Sequence, residues 1–268
     1  MLPRWLSSPL PLALGAVVFL SLTLPAADDA EAKGVKGAKA AKGQKVKAPA
    51  KFKGCPAGMS AILGRYCIDK YEASTVELLP GGKTRAHSPY DPVEGLKVKA
   101  VSKKGVKPQA YISRDQAEAA CENAGKRLCT DEEWLTACKG KKPTQWPYGD
   151  EHKDGACNDA GVSSFNHYYG ASGAEPEKSA YTWANMNDPR LNQLQGSLAP
   201  TGKFKKCRNG FDVHDMVGNL HEWTAARSGT FRGGYYLDTH INGEGCEYKT
   251  TAHDAKYHDY STGFRCCK

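Results

Sequence analysis

The chain has 268 residues, 40% of them hydrophobic, and a formal net charge of +8. The length fits one domain of ordinary size with an appendage. The charge belongs to that appendage: residues 28–53 hold eight lysines against Asp28, Asp29 and Glu31, Arg4 adds one more, and only +2 is left for residues 54–268. With no aromatic interleaving in the basic stretch, where Phe52 stands alone, dedicated nucleic-acid binding is excluded.

In chain order, Arg4, the apolar run Leu10 to Leu24 and the small residues after Pro25 form the pattern of a secretory signal peptide over residues 1–27, with cleavage after Ala26 or Ala27. The run falls short of the roughly 20 residues that span a bilayer, so an uncleaved anchor is the weaker reading. No cysteine follows the small residues, so no lipid anchor is expected. The destination is the periplasm, the cell surface or the medium. Residues 28–53 are an Ala/Lys/Gly-rich linker with too little apolar surface to offset its ordering entropy, and disorder is expected there. Its lysines suit contact with anionic surfaces.

All ten cysteines follow the linker, at 55, 67, 121, 129, 138, 157, 207, 246, 266 and 267. An even count behind an export signal reads as a disulfide framework. The absence of any C-x-x-C pair argues against zinc.

The folded part, residues 54–268, opens with two short strands, one around Ile62-Leu63 and one at Tyr66-Cys67-Ile68, turning at Gly64-Arg65. Ser113-Arg114-Asp115-Gln116 is a capping box that starts a helix ending near Gly125. Thr130-Asp131-Glu132-Glu133 starts another that ends at Gly140. Trp134 and Cys138, four apart, share a face of the second helix. Residues 141–212 read as long loops in need of staples or bound ions. Strands recur at Trp223 to Ala225, Phe231 to Leu237 and Thr262 to Cys266. The sum is an α+β domain with two helices, several short strands and much irregular structure.

Several segments carry a family likeness from about Cys55 to Lys268. They are Tyr71-Glu72-Ala73-Ser74, Ala120-Cys121-Glu122-Asn123-Ala124-Gly125-Lys126-Arg127-Leu128 running into Thr130 to Trp134, Pro147-Tyr148-Gly149-Asp150 and Asp215-Met216-Val217-Gly218-Asn219. The C-terminal signature completes the set, with Gly218-Asn219-Leu220-His221-Glu222-Trp223, Arg232-Gly233-Gly234 and Gly263-Phe264-Arg265-Cys266. In this order the chain resembles the formylglycine-generating enzyme, or sulfatase-modifying-factor, family. The resemblance implies a loop-rich fold related to C-type lectin-like domains, stapled by disulfides and bound to calcium. It implies the bridges Cys121–Cys266 and Cys138–Cys246. For the remaining cysteines we infer Cys55–Cys67, which closes a short loop, Cys157–Cys207, which staples the long irregular segment, and Cys129–Cys267, which takes what is left.

The resemblance also implies a structural calcium site at Asp215, Gly218, Leu220 and Glu222, two by side-chain oxygen and two by carbonyl. Asn219 and Glu222 capping a turn is the plainer reading of the same residues. A second site would draw on Asn158, Asp159 and Asp188. Catalytic members resemble a dithiolate trap in which two cysteines bind Cu(I), and here those positions read Asp238 and, nearby, Gly243. Tyr235 replaces the family serine, and His221 replaces an aromatic. Oxygen ligands do not substitute for thiolates at Cu(I), so neither copper nor formylglycine-generating activity is expected. The expected role is binding or structure in a monomer. A pocket floored by His221, Tyr235, Tyr236, Asp238 and His240 would take a carbohydrate, peptide or cell-wall fragment. The competing expectation is a metal-dependent oxidase of the formylglycine-generating or ergothioneine-synthase type. Its rearranged site would be built from Asp238, His240, His253, Asp254, His258 and Asp259, or its redox couple from Cys266-Cys267.

Overall fold

The computed structural model describes residues 52–170 and 180–268. The expected signal segment and all but the last two residues of the expected linker lie outside the described residues. Strands β1 (Met59–Ile62) and β2 (Tyr66–Asp69) pair antiparallel about the turn at Gly64-Arg65. Helix α1 (Arg114–Asn123) starts from a complete capping box: the Gln116 N–H donates to Ser113 Oγ, and the Ser113 N–H donates back to Gln116 Oε1. Helix α2 (Asp131–Lys139) repeats the device with Thr130 and Glu133. Each box satisfies two backbone donors that a helix start otherwise leaves open.

Three sheets form. One has the order β1-β2-β11-β6, with β6 at Arg127–Leu128 and β11 at Cys266–Cys267. The second runs β10-β7-β8-β9, with β7 at His221–Trp223, β8 at Phe231–Arg232, β9 at Lys249–Thr250 and β10 at Thr262–Phe264. The third, β4-β3-β5, is built from β3 (Ala73–Leu78), β4 (Thr84–Ala86) and β5 (Val98–Ser102), where the sequence reading placed no strands. The expected strand Trp223 to Ala225 sits two residues earlier, and the one from Phe231 stops where the chain turns at Gly233-Gly234. The expected strand Thr262 to Cys266 is broken at Arg265: β10 belongs to one sheet and β11 to another, so Arg265 is the crossing point. The expected loop 141–212 also holds two short helices, α3 (Ser164–Tyr169) and α4 (Trp183–Met186). Each is capped by a side chain, Ser163 or Thr182.

Five disulfides join Cys55–Cys67, Cys121–Cys266, Cys129–Cys267, Cys138–Cys246 and Cys157–Cys207, the same pairs that the sequence reading arrived at. Each such link stabilises by roughly 2–4 kcal/mol in the chain-entropy view, which compensates for the small amount of regular structure. Two of them anchor β11 to α1 and to the turn before α2. Trp134, Ile62, Ile68 and Val217 pack around the cysteines as one core, and Trp223, Phe231, Phe264 and Ile112 form another. No helix among the described residues is long and apolar enough to cross a membrane.

Candidate functional site

The crossing residue Arg265 is fully buried and sits among carboxylates. Its Nε and Nη2 donate to Glu222 Oε2 and Oε1, each at 2.6 Å, and the Trp134 indole N–H donates to Glu222 Oε2 at 2.7 Å. Glu72, also buried, accepts from the Asn219 side chain at 2.6 Å and from the Leu220 N–H at 3.2 Å. Asp215 is buried, with a left-handed φ of 56°, and its Oδ2 accepts from the Gly202 N–H at 2.6 Å. Three buried carboxyls therefore share one guanidinium. Burial pushes the Glu72 carboxyl well above the usual carboxylate range, with Asp215 and Glu222 adding to the effect, and burial pushes Asp215 up to about 7. The cluster is short of positive charge.

Asn219 ties this cluster to the long loop. Its Oδ1 accepts from Asn158 Nδ2 at 2.9 Å and from the Ala199 N–H at 2.8 Å, and Asn158 Nδ2 also donates to the Ser197 carbonyl. The backbones come so close that a Cβ on Gly218 would sit 2.2 Å from the Asn158 carbonyl oxygen, so only glycine fits there. Among the described residues, the buried Gly218 and Leu220 carbonyls accept no hydrogen bond, and neither does Asp215 Oδ1. Buried carbonyls without donors are rare, and a hard cation is one partner that satisfies them. The donor set of carboxylates and carbonyls fits calcium, although both Glu222 oxygens also serve Arg265.

The second expected set is less coherent. Asn158 and Asp159 lie against Gly218, and Asp159 Oδ1 is buried with no partner, while Oδ2 meets His152 Nε2 at 2.9 Å. Asp188 is engaged elsewhere. It accepts from the backbone N–H and guanidinium of Arg190 and from the Tyr169 hydroxyl, and the Arg190 hydrogen bond holds its carboxyl down at about 2. Sequence reasoning gave no role to Asn192, whose Oδ1 is a second orphaned buried acceptor.

The two positions expected from the resemblance to answer to the family's thiolates hold no cysteine. Asp238 Oδ1 accepts from the His240 and Ile241 N–H groups, and Oδ2 accepts from the Tyr248 hydroxyl at 2.8 Å, so the carboxylate closes a turn. Gly243 has a φ of 107°, and a Cβ there would sit 2.9 Å from the Glu247 carbonyl oxygen. Every cysteine of the chain is disulfide-bonded. Hard, already bonded oxygen beside a glycine does not fit Cu(I).

The expected pocket floor is packed, not open. Tyr236 is fully buried with its hydroxyl 2.7 Å from Ser164 Oγ. The His221 ring is buried against Phe231, Tyr235 and Tyr248, with centroids 4.4, 4.9 and 5.4 Å away. Burial drives the His221 imidazole down to about 3 and the Tyr235 phenol up to about 12. His240 is exposed and lies against Trp146 and His152, each centroid at 5.3 Å.

The other His and Asp residues near the C-terminus are dispersed. His253 stacks on Tyr257, His258 Nδ1 meets Asn187 Oδ1 at 2.7 Å, Asp254 caps a turn at Lys256, and Asp259 is buried against Ser261 and Tyr257. Among the described residues no three His, Cys, Asp or Glu side chains are arranged to hold a metal ion, so a cation site here would depend on backbone carbonyls. Cys266 and Cys267 are bonded to different partners.

Comparison with known proteins agrees with this framework. The chain is 30% identical over 117 residues to the formylglycine-generating enzyme of Mycobacterium tuberculosis, covering 44% of this chain and 32% of that protein. It is 25% identical over 173 residues to the inactive C-alpha-formylglycine-generating enzyme 2 of Bos taurus, covering 59% of this chain and 49% of that one. The chain thus spans less than half the length of these two curated relatives. Among solved structures, the Major Tropism Determinant I1 variant aligns over 81% of this chain and 55% of its own, at 13% identity and a TM-score of 0.46. CarF aligns over 76% and 85% at 15% identity and a TM-score of 0.42. The model of the sulfatase-modifying factor enzyme 1-like domain matches residues 56–268, nearly all of the folded part, and the chain belongs to that family.

Proposed function

We propose that this chain is an exported member of the family that binds or scaffolds and does not generate formylglycine. One observation carries the reading: all ten cysteines are bridged, and Asp238 and Gly243 stand near the positions where catalytic relatives are expected to hold a thiolate pair. A protein with no thiolate lacks both the soft ligand for Cu(I) and the nucleophile of that chemistry. A relative named as inactive supports the same reading. Five bridges suit an oxidising compartment, which supports export, and the lysine-rich stretch 28–53 would supply contact with anionic surfaces. Calcium is the proposed structural ion, held by Asp215, Glu222 and the Gly218 and Leu220 carbonyls. It would neutralise a cluster that Arg265 alone leaves negative. The test is to incubate the purified protein with copper and a cysteine-containing sulfatase-motif peptide. The peptide should remain unoxidised by mass spectrometry, and conversion of its cysteine to formylglycine would refute the reading.

A further inference from the structure

Away from the carboxylate cluster, a concavity of about 900 Å³ is lined by Lys153, Lys205, Lys206 and Arg208, with Tyr148 and Asp212 among them. A smaller one of about 320 Å³ shares the Tyr148 wall and adds Lys141 and Lys142. Residues 54–268 carry a net charge of only +2, whereas the linings of these two concavities hold these six cations and one carboxylate, Asp212. Among the described residues, Lys153, Lys205 and Lys206 meet no carboxylate at ion-pair distance. The carboxylate on the wall, Asp212, is half exposed and already holds Lys70 at 2.7 Å and His214 at 3.1 Å, with Arg208 at 3.7 Å. The Cys157–Cys207 bridge fixes the loop bearing Lys153 against the run bearing Lys205, Lys206 and Arg208. The floor is equally fixed: Asn209 Nδ2 donates to the Ala137 and Cys138 carbonyls at the end of α2. The like charges are therefore held together by covalent and hydrogen-bonded structure, and an anion relieves their mutual repulsion.

We propose that this concavity binds an acidic oligosaccharide, one bearing sulfate or carboxylate groups along its length. Its volume is that of a site for several sugar units and exceeds what a single small anion fills. The wall supplies more than charge. The Tyr148 ring offers an apolar face to a sugar ring, and Asp212 and Asn209 offer partners for sugar hydroxyls, which a chain of bare phosphates lacks. A nucleic-acid strand needs successive aromatic platforms, and Tyr148 is the sole aromatic ring on this wall. A bilayer is planar and does not enter a concavity, and none of the exposed large apolar side chains of the described residues lines it. The proposal holds whether or not any oxidase activity exists.

The test titrates the full chain, at physiological ionic strength, with a fluorescent heparin-derived hexasaccharide and a polygalacturonate hexamer. A single-stranded oligonucleotide of equal charge and anionic phospholipid vesicles run in parallel. Binding of one or both saccharides is expected, weakened about tenfold by Lys205→Ser/Lys206→Ser and also weakened by Tyr148→Ala. Removing two exposed lysines that line neither concavity, Lys83→Ser/Lys99→Ser, should leave it unchanged although the net charge falls equally. Thermal unfolding of each variant checks that the fold is intact. No saccharide binding, equal loss in both double variants, or oligonucleotide or vesicle binding weakened as much as saccharide binding by Lys205→Ser/Lys206→Ser would each overturn the proposal.

Discussion

The segment Asp215–Trp223 opens the family-like C-terminal region and the segment Tyr235–Gly243 follows its Arg232-Gly233-Gly234, and the two are held in different ways. In the first, the polar side chains are tied into one buried network: Glu222 to Arg265 and Trp134, Asn219 to Glu72, Asn158 and Ala199. In the second, aromatic rings fill the interior, and the remaining carboxylate, Asp238, closes a turn. The first segment is bound into the interior at several points, and the second is a turn held by one carboxylate. A buried charge network is hard to alter one residue at a time, because losing one partner strands the others. A surface-proximal turn carries no such penalty.

That contrast sets the order of expected effects. Arg265→Met should be the most damaging change, costing about 3–5 kcal/mol in denaturant unfolding because it leaves Glu222, Glu72 and Asp215 buried without a cation. A cost below about 1 kcal/mol would mean the network does not hold the fold. Chelation comes next. If calcium occupies the cluster, EGTA should lower stability by about 2.7 kcal/mol relative to a hundredfold excess of calcium over its Kd. Asp215→Ala should abolish that response, and an unresponsive native protein with no bound calcium by mass spectrometry would remove the ion. The smallest effect belongs to the second segment. Asp238→Ala should cost about 1 kcal/mol, the loss of turn and hydroxyl hydrogen bonds at a half-exposed site. A loss as large as that of Arg265→Met would erase the distinction between the two regions.

Much of the framework was legible because it is local. The capping boxes at Ser113 and Thr130 and the turn at Gly64-Arg65 act over three or four residues, and their chemistry is written in adjacent letters. The β3–β5 sheet was not, because its strands are half exposed and their burial alternates only weakly. The site was legible in identity more than in arrangement. Asp215 and Glu222 stand out in the sequence as two of its carboxylates, but the buried charges of Glu72 and Arg265 come together only because Arg265 crosses between two sheets. Tyr235, Tyr236 and His221 read as a pocket floor in the sequence, and packing places their rings in or against the core instead. A cysteine at 243 would be strained by the left-handed φ and the nearby Glu247 carbonyl.

The central claim is that no thiolate remains for copper chemistry, and a thiol count tests it most directly. The purified protein, denatured without reductant and treated with a thiol-specific reagent, should show no free thiol among its ten cysteines and take up no stoichiometric Cu(I). Two free thiols per chain together with stoichiometric copper would contradict the account and restore the chain to the oxidases.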